Sequence, residues 1–169
     1  MDAIECIHTR RSIRKFENRP VADELVTEIL RAAMAAPSAG NQQPWHFLVI
    51  NDRALLDQAA QVHPNAGMAA EAPVAIVVCG DTTRERYKDY WMQDCSAATQ
   101  NLLLAAHALG LGAVWTGIYP REDRVKGFCK LLKLPETILP HCLVPIGYPA
   151  QPSGRVERYD PEKVRYNRW

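Results

Sequence analysis

The 169-residue sequence has no excess of charge of either sign: 20 lysines and arginines face 19 aspartates and glutamates, for a formal net charge of +1 with the five histidines neutral. A domain that grips nucleic acid or anionic lipid through its overall field carries a clear basic excess, so neither is expected as a partner. Long apolar runs are also missing. The two most apolar stretches, APVAIVVC at 72–79 and NLLLAAHALGLGAVW at 101–115, fall short of the roughly 18 residues a spanning helix needs, and no membrane segment is expected. The amino terminus, MDAIECIHTRR, carries Asp2 and Glu5 where a secretory signal has basic residues and then an apolar stretch. The five cysteines, Cys6, Cys79, Cys95, Cys129 and Cys142, are odd in number and widely spaced. With no CxxC pair and no histidines at zinc spacing, they exclude a zinc motif and a disulfide framework. The expectation is a reduced, cytoplasmic protein. GxxxxGK[ST], HExxH and GxSxG are likewise absent, which removes the usual warrant for a nucleotide triphosphatase or a hydrolase.

What is present is ordinary globular composition, 47% hydrophobic and 23% charged, at a length that suits one domain. Such a chain buries roughly 68–70% of its unfolded surface, enough for a real core. The charge is uneven along the chain. Residues 1–20 hold five basic residues (Arg10, Arg11, Arg14, Lys15, Arg19) against three acidic ones, and residues 150–169 repeat that balance with Arg155, Arg158, Lys163, Arg165 and Arg168. Basic ends therefore flank an acidic middle.

Periodicity places the elements. Asp2 caps a short helix over 2–8. Leu25, Val26, Ile29, Leu30 and Ala33 recur at helical spacing until Pro37, which predicts an amphipathic helix over 22–35. PSAGNQQPW at 37–45 is a loop feeding a strand from His46 to Ile50. Residues 53–62 read as a helix, and VAIVVC at 74–79 as a central strand buried on both faces. From about Asp89 to Leu109 no proline or glycine occurs and the surface is apolar nearly all round, the mark of a buried helix. Gly110 and Gly112 end it. GLGAVW opens like a dinucleotide fingerprint, but its order is helix, GLG, strand, with Trp115 in the slot for a small residue, so these are helix-end glycines. Ala113–Thr116 reads as a strand, Asp123–Leu132 as a helix and His141–Ile146 as a strand that Pro145 makes an edge or bulges. The last twenty residues lose periodicity yet keep Tyr159, Tyr166 and Trp169, an aromatic tail expected to pack on something. The class is α+β or mixed α/β, a few strands layered against several helices. The five histidines stand singly, and His107 within the apolar helix reads as a satisfied core histidine.

Two segments carry chemistry. RRSIR at 10–14 packs Arg10, Arg11, Ser12 and Arg14 into five residues, fork-shaped donors and a hydroxyl that suit a phosphate, although a solvated basic turn has the same composition. PSAGNQQPW offers Ser38, Asn41, Gln42 and Gln43 between two stiffening prolines. Such a loop can read the polar edge of a planar heterocycle, or simply connect two elements.

In this order RRSIR, PSAGNQQPWHF, the segment QDCSAATQNLLLAAHALGLGAVWTG at 93–117 and a closing basic tail resemble the FMN-dependent nitroreductase family over essentially the whole chain. The resemblance implies an α+β fold, a central mixed and mainly antiparallel sheet flanked by helices, in a domain-exchanged homodimer with the helix near 93–109 at the interface. Residues 1–169 would be one flavin-binding domain, with 150–169 as an extended tail. Arg10, Arg11 and Ser12 match the segment that holds the FMN phosphate and ribityl chain, and Arg14 a cation near the pyrimidine side of the ring. Pro37, Ser38, Ala39 and Asn41 match the loop that approaches the ring from the partner subunit, and Asn65 an asparagine contacting the ring. Thr116 and Gly117 match the stretch whose backbone N–H faces flavin N5. In the tail, Arg158 matches one of two phosphate-binding basic residues. Val156 stands where the other belongs, leaving Arg155 or Arg168 to replace it. Met68 occupies the place of a family lysine.

The function so implied is ping-pong hydride transfer from NADH or NADPH, through FMN, to nitroaromatic, quinone or related planar small-molecule acceptors. A relative that spends reduced FMN on dehalogenation or enone reduction shares these residues, as does a flavin-binding sensor or carrier. No catalytic acid or nucleophile is assigned, and no metal is expected.

Overall fold

The computed structural model describes residues 1–169. Along the chain run α1 (Ala3–Thr9), α2 (Asp23–Met34), a 3-10 turn (Ala39–Asn41), β1 (Trp45–Ile50), α3 (Arg53–Val62), a second 3-10 turn (Gly67–Ala70) and β2 (Val74–Asp81). There follow α4 (Trp91–Ala108), β3 (Gly112–Ala113), β4 (Thr116–Gly117), α5 (Glu122–Leu132) and β5 (Ile138–Gly147). Asp2 and Asp52 cap α1 and α3, accepting from Glu5 N at 3.0 Å and Leu55 N at 2.8 Å. Gly110, at φ 79°, ends α4 by returning its N–H to His107 while Leu111 bonds back to Ala106, the paired closure a left-handed residue permits.

The sheet is ordered β1-β2-β5-β3, with β4 also on β5, and every ladder is antiparallel. The one parallel pairing is the isolated bridge of Ser12 to Ala113, which lays the RRSIR segment beside β3. β2 shows why it is central. Val74, Ile76 and Val78 face a core shared with α2 and α4, while Ala75, Val77 and Cys79 face a second core with Leu56, Ile118 and Phe128. Helices thus cover both faces of the sheet, as the unbroken apolar run requires.

Two expectations change. β5 is not an edge, since it pairs with β2 on one side and with β3 and β4 on the other. Ala113 opposite Ile146 and Thr116 opposite Leu143 share one register, so β3 and β4 are one strand interrupted at Val114–Trp115. Pro145 lies opposite Val114. Its carbonyl accepts from Val114 N at 3.4 Å, but a proline has no N–H to return, and there the ladder breaks. The irregularity in β5 itself lies nearer its start, where Val78 pairs with Cys142 and Cys79 with Pro140. His141 is the extra residue, and such a bulge re-aims a side chain. It turns His141 onto the α4 face, against Ser96, Trp91 and Trp115.

α4 is also less covered than its composition predicts. Cys95, Ala98, Thr99, Leu102, Leu103 and Ala106 are buried, but Leu104, Ala105 and Ala108 line an open apolar groove of ≈ 460 Å³ against Cys6, Ile7, Ala32 and Ala35. The tail past Ala150 has one 3-10 turn (Pro161–Lys163), and its Tyr159, Tyr166 and Trp169 are exposed. No helix is long and apolar enough to cross a membrane.

Candidate functional site

The two basic ends of the chain meet. Arg10 closes α1, and with Arg11, Val156, Glu157 and Arg158 it lines a cleft of ≈ 330 Å³. Neither Arg155 nor Arg168 lines it. Burial lowers the pKa of Arg10 below the ordinary arginine value, and the neighbouring charges of Arg11 and Arg158 lower it further. None of Arg10, Arg11, Arg14 and Arg158 is ion-paired with a carboxylate. The nearby Glu157 carboxylate is folded onto its own chain, accepting from Arg158 N at 2.9 Å and Tyr159 N at 2.8 Å. Arg11 gives one nitrogen to the Arg10 carbonyl at 2.6 Å, while its Nε and Nη2 are buried without a partner. Buried guanidinium nitrogens are normally satisfied, and no group of the chain itself satisfies these two, so the cluster suits an anion.

The segment is held in place by the tail and by β3. Gln151 Oε1 accepts from Arg14 N at 2.8 Å and Lys15 N at 3.0 Å, and Ile13 N donates to Ala113 O at 3.0 Å. Ser12 therefore sits beside Ala113 at one end of the interrupted strand, with Thr116 three and Gly117 four residues on, about 10 and 13 Å at strand rise. Thr116 turns inward, its hydroxyl on Leu143 O at 2.7 Å. Ladder alternation aims the N–H and C=O of Gly117 away from β5. A Cβ at Gly117 would meet only Tyr119 O, at 3.9 Å. Nothing in the chain's own packing demands a glycine there, so the open space beside it suits a planar group close to the backbone.

Asn65 reaches the same place through a residue the sequence reading passed over. The His63 ring accepts from Asn65 N at Nδ1 (3.2 Å) and bonds the Gly117 carbonyl through Nε2 (2.8 Å). Arg124 from α5 donates to the same carbonyl at 2.7 Å. Arg53 is a second such residue: its guanidinium binds the carbonyls of Ala69 (2.9 Å) and Ala72 (3.0 Å) and pairs with Asp57, fixing the turn that follows Asn65. Met68, in place of a family lysine, is half-buried and packs between two core clusters. His107 has a partner, Thr9 Oγ1 at 2.8 Å, but it is half-buried at the end of α4 and not in the core.

The 37–43 loop lies elsewhere. Asp94, buried in the first turn of α4, accepts from Ala39 N at 2.9 Å and Gln42 Nε2 at 2.6 Å. Gln42 Oε1 in turn accepts from Arg86 N and Tyr87 N, and Ser38 Oγ accepts from Gln43 N at 3.0 Å. These bonds hold Gly40, Asn41 and Gln43 at positive φ, a conformation that is uncommon outside glycine. Gln42 is structural, while Asn41 and Pro37 are exposed. Asp94 marks one end of α4 and His107, beside Arg11, the other, about 20 Å apart at helical rise. Within one chain, then, the structure joins RRSIR, the tail and the Gly117–Asn65 pair along one strand, and leaves the 37–43 loop at the far end of α4.

The arrangement offers an anion site and an open backbone edge in line, the requirements of a ligand with a phosphate at one end and a planar ring at the other. The model of the nitroreductase family matches residues 7–63 and 57–148. A protein of Methanothermobacter thermautotrophicus strain Delta H, provisionally named an NADH dehydrogenase/NAD(P)H nitroreductase, is 50% identical over 169 residues, 100% of this chain and 88% of the relative. A crystal structure from Parabacteroides distasonis with the same provisional name is 45% identical with a TM-score of 0.95, covering 98% of each chain. A nitroreductase-like protein from Desulfovibrio desulfuricans, crystallised in complex with FMN, is 33% identical with a TM-score of 0.86, covering 100% of this chain and 99% of that one.

Proposed function

The chain belongs to the nitroreductase family, and on that premise we propose that it is an FMN-dependent oxidoreductase that uses NADH or NADPH to reduce nitroaromatic, quinone or related planar acceptors. The observation that carries the proposal is the arginine cleft: guanidinium groups from both ends of the chain converge with none of them ion-paired, the Glu157 carboxylate beside them being bound to backbone N–H groups, and two Arg11 nitrogens are buried without a partner. A phosphate dianion answers that deficit. The FMN complex of the Desulfovibrio relative supports the choice of anion.

When bound, FMN supplies the redox chemistry, taking hydride at N5 from the nicotinamide and passing the electrons to the acceptor in a second half-reaction. The chain's own residues bind and orient. Arg10, Arg11 and Arg158 hold the phosphate, with the Ser12 hydroxyl beside the ribityl chain. Arg14 supplies a cation that favours negative charge on the pyrimidine side of the ring. Thr116 and Gly117 present backbone to the ring, Gly117 with its N–H on the open edge of the strand, and Asn65 contributes from the loop after α3. No side chain is assigned as acid or nucleophile.

The working unit in this reading is a homodimer, each protomer one flavin-binding domain over 1–169 with the 150–169 tail reaching its partner. Three features support it: the open apolar groove between α1, α2 and α4, the tail's exposed aromatics, and the separation of the 37–43 loop from the arginine cleft. Pro37, Ser38, Ala39 and Asn41 then close the site of the other protomer. The test is FMN retention. Protein loaded with FMN and passed through a desalting column is expected to stay yellow at one FMN per chain; a colourless product that cannot be loaded contradicts the proposal.

A further inference from the structure

We propose that His63 is a positioning residue that locks Asn65 and Gly117, on two segments far apart in the chain, into one rigid frame facing the flavin ring, an inference that rests on the flavin reading above. An amide N–H can only donate, so the bond from Asn65 N at 3.2 Å makes His63 Nδ1 the acceptor. The ring proton is then on Nε2, which donates to the Gly117 carbonyl at 2.8 Å. Arg124 Nη1 donates to that same oxygen at 2.7 Å, 3.4 Å from Nε2, and a carbonyl has the two lone pairs to accept both. The ring is 1% exposed and held edge-on by Phe128, with ring centroids 6.4 Å apart.

The reason for such a clamp lies in Gly117. A glycine lets a ring approach the backbone closely but leaves its own dihedrals loose. Two donors on its carbonyl remove that freedom, and the ring that supplies one of them also ties down the Asn65 backbone. The clamp works only with His63 neutral, because a protonated ring would set Nδ1–H against the Asn65 N–H. Around it, Arg124 opposes protonation, Asp123 favours it weakly, and the Gly117 carbonyl faces Nε2. Burial is the largest influence, and the net effect lowers the His63 pKa below the ordinary histidine value.

The substitutions separate the two bonds. In His63→Gln the side-chain amide reproduces the Nε2 donor; in His63→Asn it reproduces only the Nδ1 acceptor; His63→Leu has neither. Arg124→Met removes the second donor and leaves the ring. FMN dissociation constants, the midpoint potential of bound FMN and Asn65 amide exchange in FMN-free protein are measured for each. His63→Leu is expected to bind FMN at least tenfold more weakly, to shift the potential and to speed Asn65 exchange at least tenfold. His63→Gln is expected to stay within about threefold in affinity and to lose the fall in kcat/KM that the wild type is expected to show at pH values below the ordinary histidine range. If His63→Leu does not fold, Arg124→Met carries the test, with an expected loss of at least threefold in FMN affinity. Wild-type protein that takes up FMN, with His63→Leu or Arg124→Met matching it in affinity and potential, overturns the clamp alone. Wild-type protein that takes up no FMN overturns the flavin reading instead.

Discussion

Arg10, at the end of α1, and Arg158, in the closing tail, line one cleft, and neither is ion-paired with a carboxylate. Arg10 is half-buried and Arg158 exposed, and like charges brought together repel unless an anion completes the set. Each contact to phosphate is a charge-assisted hydrogen bond worth about 1.5–3 kcal/mol. Arg10→Ala and Arg158→Ala are therefore each expected to weaken FMN binding by about 10- to 100-fold in a fluorescence titration. Arg31→Ala is the control, since the Arg31 side chain is exposed, pairs with Glu28 and does not line the cleft. Arg53 is unsuitable, because it holds the Ala69 and Ala72 carbonyls. Equal affinity of the Arg10 and Arg31 variants would remove the phosphate from this cleft.

Gly117→Ala separates folding from binding. The new methyl group would meet only Tyr119 O at 3.9 Å, so the denaturation midpoint of FMN-free protein is expected to stay within about 0.5 kcal/mol of wild type. FMN affinity is expected to fall at least tenfold, since the methyl occupies the space the ring would use. By contrast, a Cβ at Gly112 would stand 2.6 Å from Ile13 Cγ2, and Gly112→Ala is expected to destabilise the chain itself. A Gly117→Ala protein with wild-type FMN affinity would place the ring elsewhere.

His141 makes stability pH-dependent. Its Nε2 bonds Ser96 Oγ at 3.1 Å, its Nδ1 is buried without a partner, and burial lowers its pKa to about 4. From pH 6.5 downward the unfolded chain takes up a proton that the folded chain refuses until about pH 4. Stability therefore falls as pH falls through that window, by about 3 kcal/mol over its full span. His141→Gln keeps a donor for Ser96 and removes the titration. Its stability is expected to change less between pH 6.5 and 4 than the wild type's, measured by urea unfolding. Identical slopes would contradict a buried neutral His141.

The groove against α4 bears on assembly. Leu104→Glu puts a charge among Ala105, Ala108, Ile7 and Ala32, where a homodimer would bury it. Sedimentation is expected to show a dimer for the wild type and a monomer for the variant, with loss of FMN retention, because the loop from the partner is lost with the interface. A Leu104→Glu protein that is monomeric and still holds one FMN per chain would refute the shared site.

The elements legible in the sequence were those whose pattern is local. The face of Val26, Ile29 and Ala33 gave α2, the continuous VAIVVC run gave a doubly covered β2, and Gly110 gave the end of α4. Pro145 taken alone points to an edge strand, whereas β5 is paired on both sides. The missing N–H of Pro145 faces the gap between β3 and β4, so a proline sits in a central strand at the point where its neighbour is already broken. RRSIR and the tail could be named from their arginines, and the structure brings Arg10 and Arg158 to one cleft. His63 could not be found that way. It lies two residues from Asn65, but its role depends on Gly117 and Arg124, and no spacing along the chain reveals that contact. Asp94 was hidden similarly, as a carboxylate inside an apolar helix whose partners lie in the 37–43 loop.

The most direct test is anaerobic titration of FMN-loaded protein with NADH and with NADPH, followed by a panel of nitroaromatics, quinones, enones and halogenated phenols. Loss of the flavin absorbance with one equivalent of at least one nucleotide, and its return with a nitroaromatic or quinone, is the expected result. A loaded protein that neither nucleotide can bleach would contradict an oxidoreductase and leave a flavin carrier in its place.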